Sequence, residues 1–401
     1  MELFVKDYKF RDEIAWKIGV EMATGRKKKK RKNKIVLFAV EIIVLAALLV
    51  GLFIYSRLSR VESTGEKFEE KDVNIELDSE TAEALKGYTN IALFGLDNRD
   101  TGSYNAGNSD CIMIASINND TKKVKLISVY RDTFLNTKDD TYNKINSAYA
   151  AGGAKNAISA LNKNLNLDIK NYVAVDFGAV VEAVDLLDGI ELTLTDQEVQ
   201  IMNDNYIDEI NQVTNHSSDK LSGGGTYTVN GVQALAYCRI RYTAGDDFKR
   251  TERQRDVLTK MIDKAKSSSI TTVGSMINSM IDKISTSFSS ADLLKLASSV
   301  MDYELEDTHG WPFELCTGNY GSKGSLVVPT DLETNVEELH EYLFDEKNNV
   351  SNTVSGISEY IRDYTGCSAE QATRRDNPLT GDDNTSTTDT GYVLPEDSDA
   401  E

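Results

Sequence analysis

Four cysteines in 401 residues are too few for a disulfide scaffold, and there is no CxxC. Cys111 and Cys238 fall in apolar runs and read as small buried groups. Cys316 and Cys367 are a candidate pair. Histidine is scarcer still: His216, His309 and His340 show no metal-ligand spacing, and no serine–histidine–acid arrangement stands out. The run Gly223-Gly224-Gly225 is not followed by the lysine of a phosphate-binding loop and reads as a flexible turn. No internal repeat is present. Positive charge is short beyond residue 55. Of the 44 Lys and Arg, 12 precede Ser56, whereas 58 of the 64 Asp and Glu follow it, which leaves a formal charge of −26 over residues 56–401. That surface lacks the basic footprint of nucleic-acid binding, so no nucleic-acid partner is expected. It is compatible with a cation-rich exterior.

One long apolar run is present. Residues 35–55 hold a single charge, Glu41, and 21 residues of helix reach about 30 Å, the thickness of a bilayer core. Arg26, Lys27, Lys28, Lys29, Lys30, Arg31, Lys32 and Lys34 stand just before it, against Arg57 and Arg60 after it. This bias puts the N-terminus in the cytoplasm and the larger portion outside. The expected organisation is a basic cytoplasmic tail over 1–34, a transmembrane helix over 35–55, a polar stalk over 56–85, one folded domain over 86–348 and an acidic, mostly disordered tail over 349–401. Residues 350–401 hold 11 acids and 3 bases, with a short helix expected near 354–364.

Within the domain, strands are expected at 90–95, 111–117, 124–130, 172–175 and 190–194. Helices are expected at 154–165, 179–187, 231–237 and 250–266. The alternation predicts an α/β fold, a sheet covered by helices. The hairpin turning at Asn118-Asn119-Asp120-Thr121 makes that sheet mixed.

Polar residues gather at the strand ends. Hairpin geometry puts Asp110 opposite residue 129 or 130, with Arg131 beside it, and antiparallel pairing of the first two strands brings Asp97 to the same rim. Paired carboxylates invite a hard cation such as Mg²⁺, and arginine offers a fork suited to phosphate. A surface salt-bridge group is the alternative on spacing alone. There is also a second basic group. Arg239 and Arg241 point one way if their segment is extended. Arg250 and Gln254 are i and i+4 on the next helix, with Arg253 on the same broad face. In so acidic a domain this patch suggests a locally held polyanion, most simply a diphosphate; a solvated helix face is the other reading.

These residues fall in ordered blocks: Asn-Ile-Ala-Leu-Phe-Gly-Leu-Asp-Asn-Arg at 90–99, Ser109-Asp110, Ile-Ser-Val-Tyr-Arg-Asp-Thr at 127–133, Lys-Ile-Asn-Ser-Ala-Tyr at 144–149, Val175-Asp176-Phe177, Tyr-Cys-Arg-Ile-Arg at 237–241, Asp-Phe-Lys-Arg at 247–250 and Arg253-Gln254-Arg255. In this the chain resembles the LytR-CpsA-Psr family of bacterial cell-envelope enzymes. The resemblance implies a mixed central sheet between helices, with a lipid tail in an apolar pocket between sheet and helices. It implies transfer of a glycopolymer phosphate, of teichoic acid or capsular polysaccharide type, from a polyprenyl-diphosphate carrier to the C6 hydroxyl of peptidoglycan N-acetylmuramic acid. Carried over by motif, Asp97 and Asp110 would bind Mg²⁺. Arg99, Arg131, Arg239, Arg241 and Arg250 would hold the diphosphate, with Gln254 beside them. Hydrolysis of the lipid diphosphate and non-catalytic binding of lipid-linked glycan are the alternatives. The family usually has Arg-Ser-Asp where this chain has Asn108-Ser109-Asp110, Pro-Arg-Asp where it has Tyr130-Arg131-Asp132, and often Gly-Gly at Asp188-Gly189. The topology implied is a single-pass membrane protein with its catalytic domain outside a bacterial cell of the Gram-positive kind.

Overall fold

The computed structural model describes residues 68–374 apart from 74, 76, 98–103, 105–106, 242–245, 281–282, 290–291, 294 and 297–298. The expected anchor at 35–55 lies outside the described residues, and among those described no helix is long and apolar enough to cross a membrane. In chain order the elements are α1 (Ser79–Leu85), β1 (Tyr88–Leu96), β2 (Ser109–Asn118), β3 (Lys123–Val129), the hairpin β4 (Phe134–Lys138) and β5 (Thr141–Lys144), α2 (Ser147–Leu165), β6 (Asn171–Val175), α3 (Phe177–Leu186) and β7 (Ile190–Leu194). Next come α4 (Asp196–Asn205), α5 (Ile207–Thr214), β8 (Gly225–Val229), α6 (Gly231–Arg239), α7 (Asp246–Ser267), α8 (Ile270–Met280) and β9 (Ile284–Thr286). The C-terminal part adds β10 (Glu304–Trp311), β11 (Glu314–Asn319), β12 (Ser325–Pro329), α9 (Leu332–Phe344), α10 (Asn352–Thr365) and β13 (Thr373–Arg374).

The central sheet has the order β10-β3-β2-β1-β6-β9. The pairs β1–β2, β2–β3 and β6–β9 are antiparallel, while β1–β6 and β3–β10 are parallel, so the sheet is mixed as expected. The β2–β3 turn is closed by Asn118, whose side chain accepts from the N–H groups of Asp120 and Thr121, and by Lys122 at φ 64°.

Alternation along β1 divides the molecule. Ala92, Phe94 and Leu96 enter a core shared with Ile112 and Ile114 of β2, Ile127 of β3 and Ala157, Ile158 and Leu161 of α2. Leu93, Gly95 and Asp97 face the other way, into a cavity covered by α3, α6 and α7. One strand therefore builds the core with one set of residues and the site with the other. A second apolar cluster, with Val181, Ile190, Leu192, Met202, Ile210, Val232 and Leu235, makes α3–α6 and β7–β8 a lobe of its own.

The short helix expected near 354–364 is present as α10, but it belongs to the folded domain and not to a tail. In α10, Val354, Ile357 and Ile361 enter the main core. Cys316 of β11 and Cys367 just past α10 form a disulfide, with Cα atoms 6.2 Å apart. The average composition is polar, but the i, i+3, i+7 spacing of three aliphatic side chains is enough to bury one face of the helix.

Candidate active site

The cavity under the sheet has a volume of about 540 Å³. Its depth is apolar, lined by Leu93, Met113, Val173, Val180, Leu235, Leu258 and Met261; its mouth carries Asp97, Asp110, Arg239, Arg241, Arg250 and Gln254. Six of the eight residues singled out from the sequence therefore meet at one opening, although they are spread over Asp97 to Gln254. Arg131 stands behind the rim, donating from Nη1 to Asp110 Oδ1 at 3.0 Å. Arg99 lies outside the described residues.

Each side chain has a local reason for its position. Continuing the observed register, in which Met113 faces Ser128, puts Asp110 opposite Arg131 itself, one place beyond the expected 129 or 130. Asp97 reaches the rim because its N–H follows β1 onto the carbonyl of Asn108, 3.4 Å away. Arg239 is not in an extended segment, as the alternation suggested. It ends α6, a helix started by Asn230, which caps Gln233 N–H and is capped in return. The chain leaves that helix at buried Ile240 with ψ 125°, which carries Arg241 to the same opening. A cation at a helix C-terminus is favoured by the exposed carbonyls there. The Arg239 guanidinium is also held 4.7 Å from the Phe177 ring, 5.2 Å from the Tyr206 ring and 3.3 Å from Glu209 Oε2.

Arg250 is 3% exposed. Its Nη2 donates to the Asp110 carbonyl at 3.1 Å and pairs with Asp247 Oδ1 at 3.2 Å, while its Nε has no hydrogen-bond partner among the described residues. Asp247, to which the sequence blocks assigned no role, also accepts from Arg131 Nε at 3.2 Å and so links two arginines. Its position three residues before Arg250 is the signal that could have found it. Asp132 lies 3.4 Å from Lys144 and 3.9 Å from Arg131. Burial alone would lower the Arg131 pKa, but Asp247, Asp110 and Asp132 together raise it. Burial outweighs Asp247 at Arg250 and lowers it. Arg253 does not join the mouth: it turns to the other side of α7, where Nε donates to Glu198 at 3.0 Å and the guanidinium lies over Tyr237. Cys111 and Cys238 both line the cavity. Burial pushes the Cys111 thiol up to about 12 and the Cys238 thiol higher, so neither is a nucleophile at neutral pH.

Among the described residues no group of three or more His, Cys, Asp or Glu side chains forms a metal cage. Asp97 and Asp110 nonetheless fit a cation that takes its other ligands from phosphate and water. Asp110 Oδ2 lies 3.6 Å from Arg241 and 3.8 Å from Arg250, beyond hydrogen-bond length, so one carboxylate oxygen is not saturated by the arginines.

A family model described as the LytR_cpsA_psr family matches residues 51–311. The polyisoprenyl-teichoic acid–peptidoglycan teichoic acid transferase TagU of Enterococcus faecalis is 30% identical over 216 residues, 53% of this chain and 65% of that protein. The chain thus spans just under two thirds of that relative's length. The transferase TagT of Bacillus subtilis is 26% identical over 312 residues, 74% of this chain and 92% of that protein. Among solved structures, the crystal structure of B. subtilis TagV superposes with a TM-score of 0.52 at 25% identity, covering 66% of this chain and 99% of that one.

Proposed function

We propose, for a chain that belongs to the LytR-CpsA-Psr family, that it transfers a glycopolymer phosphate from a polyprenyl-diphosphate carrier to the C6 hydroxyl of peptidoglycan N-acetylmuramic acid. The relatives named as teichoic acid–peptidoglycan transferases support this reading. The observation that carries it is the two-part cavity: an apolar depth that suits a hydrocarbon tail, and a mouth of arginines that suits the diphosphate at its end. The unpartnered Nε of Arg250 is a buried donor that a phosphate oxygen would satisfy.

In this mechanism the polyprenyl chain occupies the apolar depth and fixes the diphosphate at the rim. Arg239, Arg241 and Arg250 bind its non-bridging oxygens, with Arg99 and Arg131 completing the cluster. Asp247, which pairs with both, holds Arg131 and Arg250 in place. The acceptor oxygen attacks the sugar-side phosphorus in line. The bond from that phosphorus to the bridging oxygen breaks, and the polyprenyl phosphate leaves with the bridging oxygen. Negative charge shifts toward the equatorial and bridging oxygens, where prepositioned guanidinium groups stabilise it without reorganising. The transition state is loose, so the hydroxyl keeps its proton until bond formation is advanced and then releases it to solvent at the open mouth. A Mg²⁺ ion held by Asp97 and Asp110 would neutralise diphosphate charge and orient its oxygens. Asn108 is exposed, and its carbonyl rather than its side chain meets Asp97, so the arginine the family usually has there is not replaced at this point.

The expected location is a membrane-anchored domain outside the cell, and the Cys316–Cys367 disulfide supports an oxidising compartment. The test is incubation of the full-length chain with a lipid-diphosphate-linked glycan, a peptidoglycan strand and Mg²⁺, read by mass spectrometry. A covalent glycan–peptidoglycan phosphodiester is expected. A free phosphate-ended glycan would make the protein a hydrolase, and binding without turnover would make it a receptor.

A further inference from the structure

The β4–β5 hairpin contributes nothing to the arginine-lined cavity, yet it carries a second concavity. A cleft of about 440 Å³ lies between the hairpin, α2 and α10, lined by Asn136, Asp140, Tyr142, Lys163, Asn352 and Thr353. Asn136 is 1% exposed, and Asn164 holds its backbone on both sides, accepting its N–H at 3.0 Å and donating to its carbonyl at 2.7 Å. Its Nδ2 donates to Asp140 Oδ1 at 3.2 Å. The Asn136 side chain is buried in the cleft wall, where it hydrogen-bonds with Tyr142 as well as Asp140. Lys163 lies 3.4 Å from Asp140, so donor, acceptor and amide sit together at the cleft wall.

Beside the cleft stand aromatic rings. Tyr142 stacks on Tyr360 of α10 with centroids 3.8 Å apart and planes 20° from parallel. One helical turn on, Tyr364 is within 6° of parallel to Tyr360 and stacks on Phe134 at 5.2 Å. Tyr360 and Tyr364 are nevertheless 44% and 42% exposed, two of the three large apolar side chains exposed to that degree among the described residues. Their rings are held from beneath and remain open to solvent. Flat, prefixed rings beside an amide, a carboxylate and an ammonium suit a pyranose. Its C–H face lies on the ring, and its hydroxyls donate to Asp140 and accept from Lys163.

Strand β5 runs from the cleft toward the residues behind the arginine mouth. From Tyr142 it is two residues of β5, about 7 Å, to Lys144, which pairs with Asp132 beside Arg131. We infer that Tyr360, Tyr364, Asp140 and Lys163 form a saccharide-binding surface that seats the acceptor glycan strand of peptidoglycan while one of its hydroxyls reaches the arginine cluster. That the strand is the acceptor rests on the transferase reading; that the surface binds saccharide does not.

The test uses the full-length chain in two arms. Tyr360 is the residue to change, because removing Tyr364 would uncover Phe134. In the first arm, uncrosslinked peptidoglycan strands are titrated by calorimetry in the absence of any lipid. Tyr360→Ala is expected to weaken binding roughly tenfold and Tyr360→Trp to restore it, with affinity for polyprenyl diphosphate unchanged in both. In the second arm, transfer kinetics are expected to show a raised KM for the acceptor, with kcat and the KM for the lipid substrate unmoved. Wild-type protein that binds no strand, or a Tyr360→Ala variant that binds as the wild type does, overturns the inference. A raised KM for the lipid-linked glycan instead would give the surface to the donor and also overturn it. Strands bound through Tyr360 with no covalent transfer would sink the transferase reading and leave the surface standing.

Discussion

Two arginines at the same mouth have different physical standing. The Arg241 side chain is 36% exposed and its ion pair with Asp110 is 3.6 Å long, so the folded state depends on it little. Arg241→Ala is expected to cut kcat by about 10²–10³ at saturating lipid substrate, as loss of one preorganised transition-state donor does, and to leave the urea midpoint nearly unchanged. Arg250, 3% exposed, is shared between Asp110 and Asp247. Arg250→Ala leaves two acids at a half-buried rim and is expected to cost about 3 kcal/mol in urea unfolding as well as activity. Retained turnover in Arg241→Ala would remove that residue from the catalytic clamp. The residue at 130 shows why the family's usual proline is dispensable here: the Tyr130 N–H donates to the Trp311 carbonyl at 3.0 Å, a bond proline cannot make, and its ring lies against Gly310, where a Cβ would collide with the hydroxyl. Asp188 takes φ 58°, the left-handed region that a glycine at this place adopts without cost and an aspartate tolerates.

Among the elements, α6 has the narrowest tolerance. A Cβ at Gly231 would overlap the Val181 carbonyl of α3, so the two helices meet there backbone to backbone. Gly231→Ala is expected to cost about 1–3 kcal/mol in urea unfolding and, by displacing Arg239 at the far end of the helix, to weaken lipid-diphosphate binding. An unchanged midpoint would mean that α3 and α6 are free to slide. The β2–β3 hairpin was readable from the chain because two apolar runs flank an Asn-Asn-Asp-Thr turn, which sets the register to within one residue. The mouth was readable because arginine clusters are rare in so acidic a domain. Less was visible where helix and strand patterns overlap. Two arginines spaced by one residue look like a strand, yet Arg239 ends a helix and the backbone turns extended only at Ile240. Arg253 and Arg250 are three apart, a spacing close enough to suggest one face, but Glu198 and Tyr237 draw Arg253 to the other side of α7.

At the scale of the whole molecule, composition concealed how far the fold extends. Residues 350–401 average out as a polar acidic stretch, and only the spacing of Val354, Ile357 and Ile361 marks the part that packs. The Cys316–Cys367 bridge closes a loop of sequence separation 51, for which chain entropy gives about 4 kcal/mol. Reduction with dithiothreitol, or Cys367→Ser, is expected to lower unfolding stability by about 2–4 kcal/mol in urea melts of the full-length chain, and no change would mean that the core alone retains α10. The order in which the sheet is assembled has its own consequence. β3 acquires its parallel neighbour only when β10 arrives, more than 170 residues later, so a chain folding from its N-terminal side holds an open edge until the residues through Trp311 join it. Any message that stops translation before that point yields a product with a bare strand, and such truncations should aggregate rather than accumulate as soluble fragments.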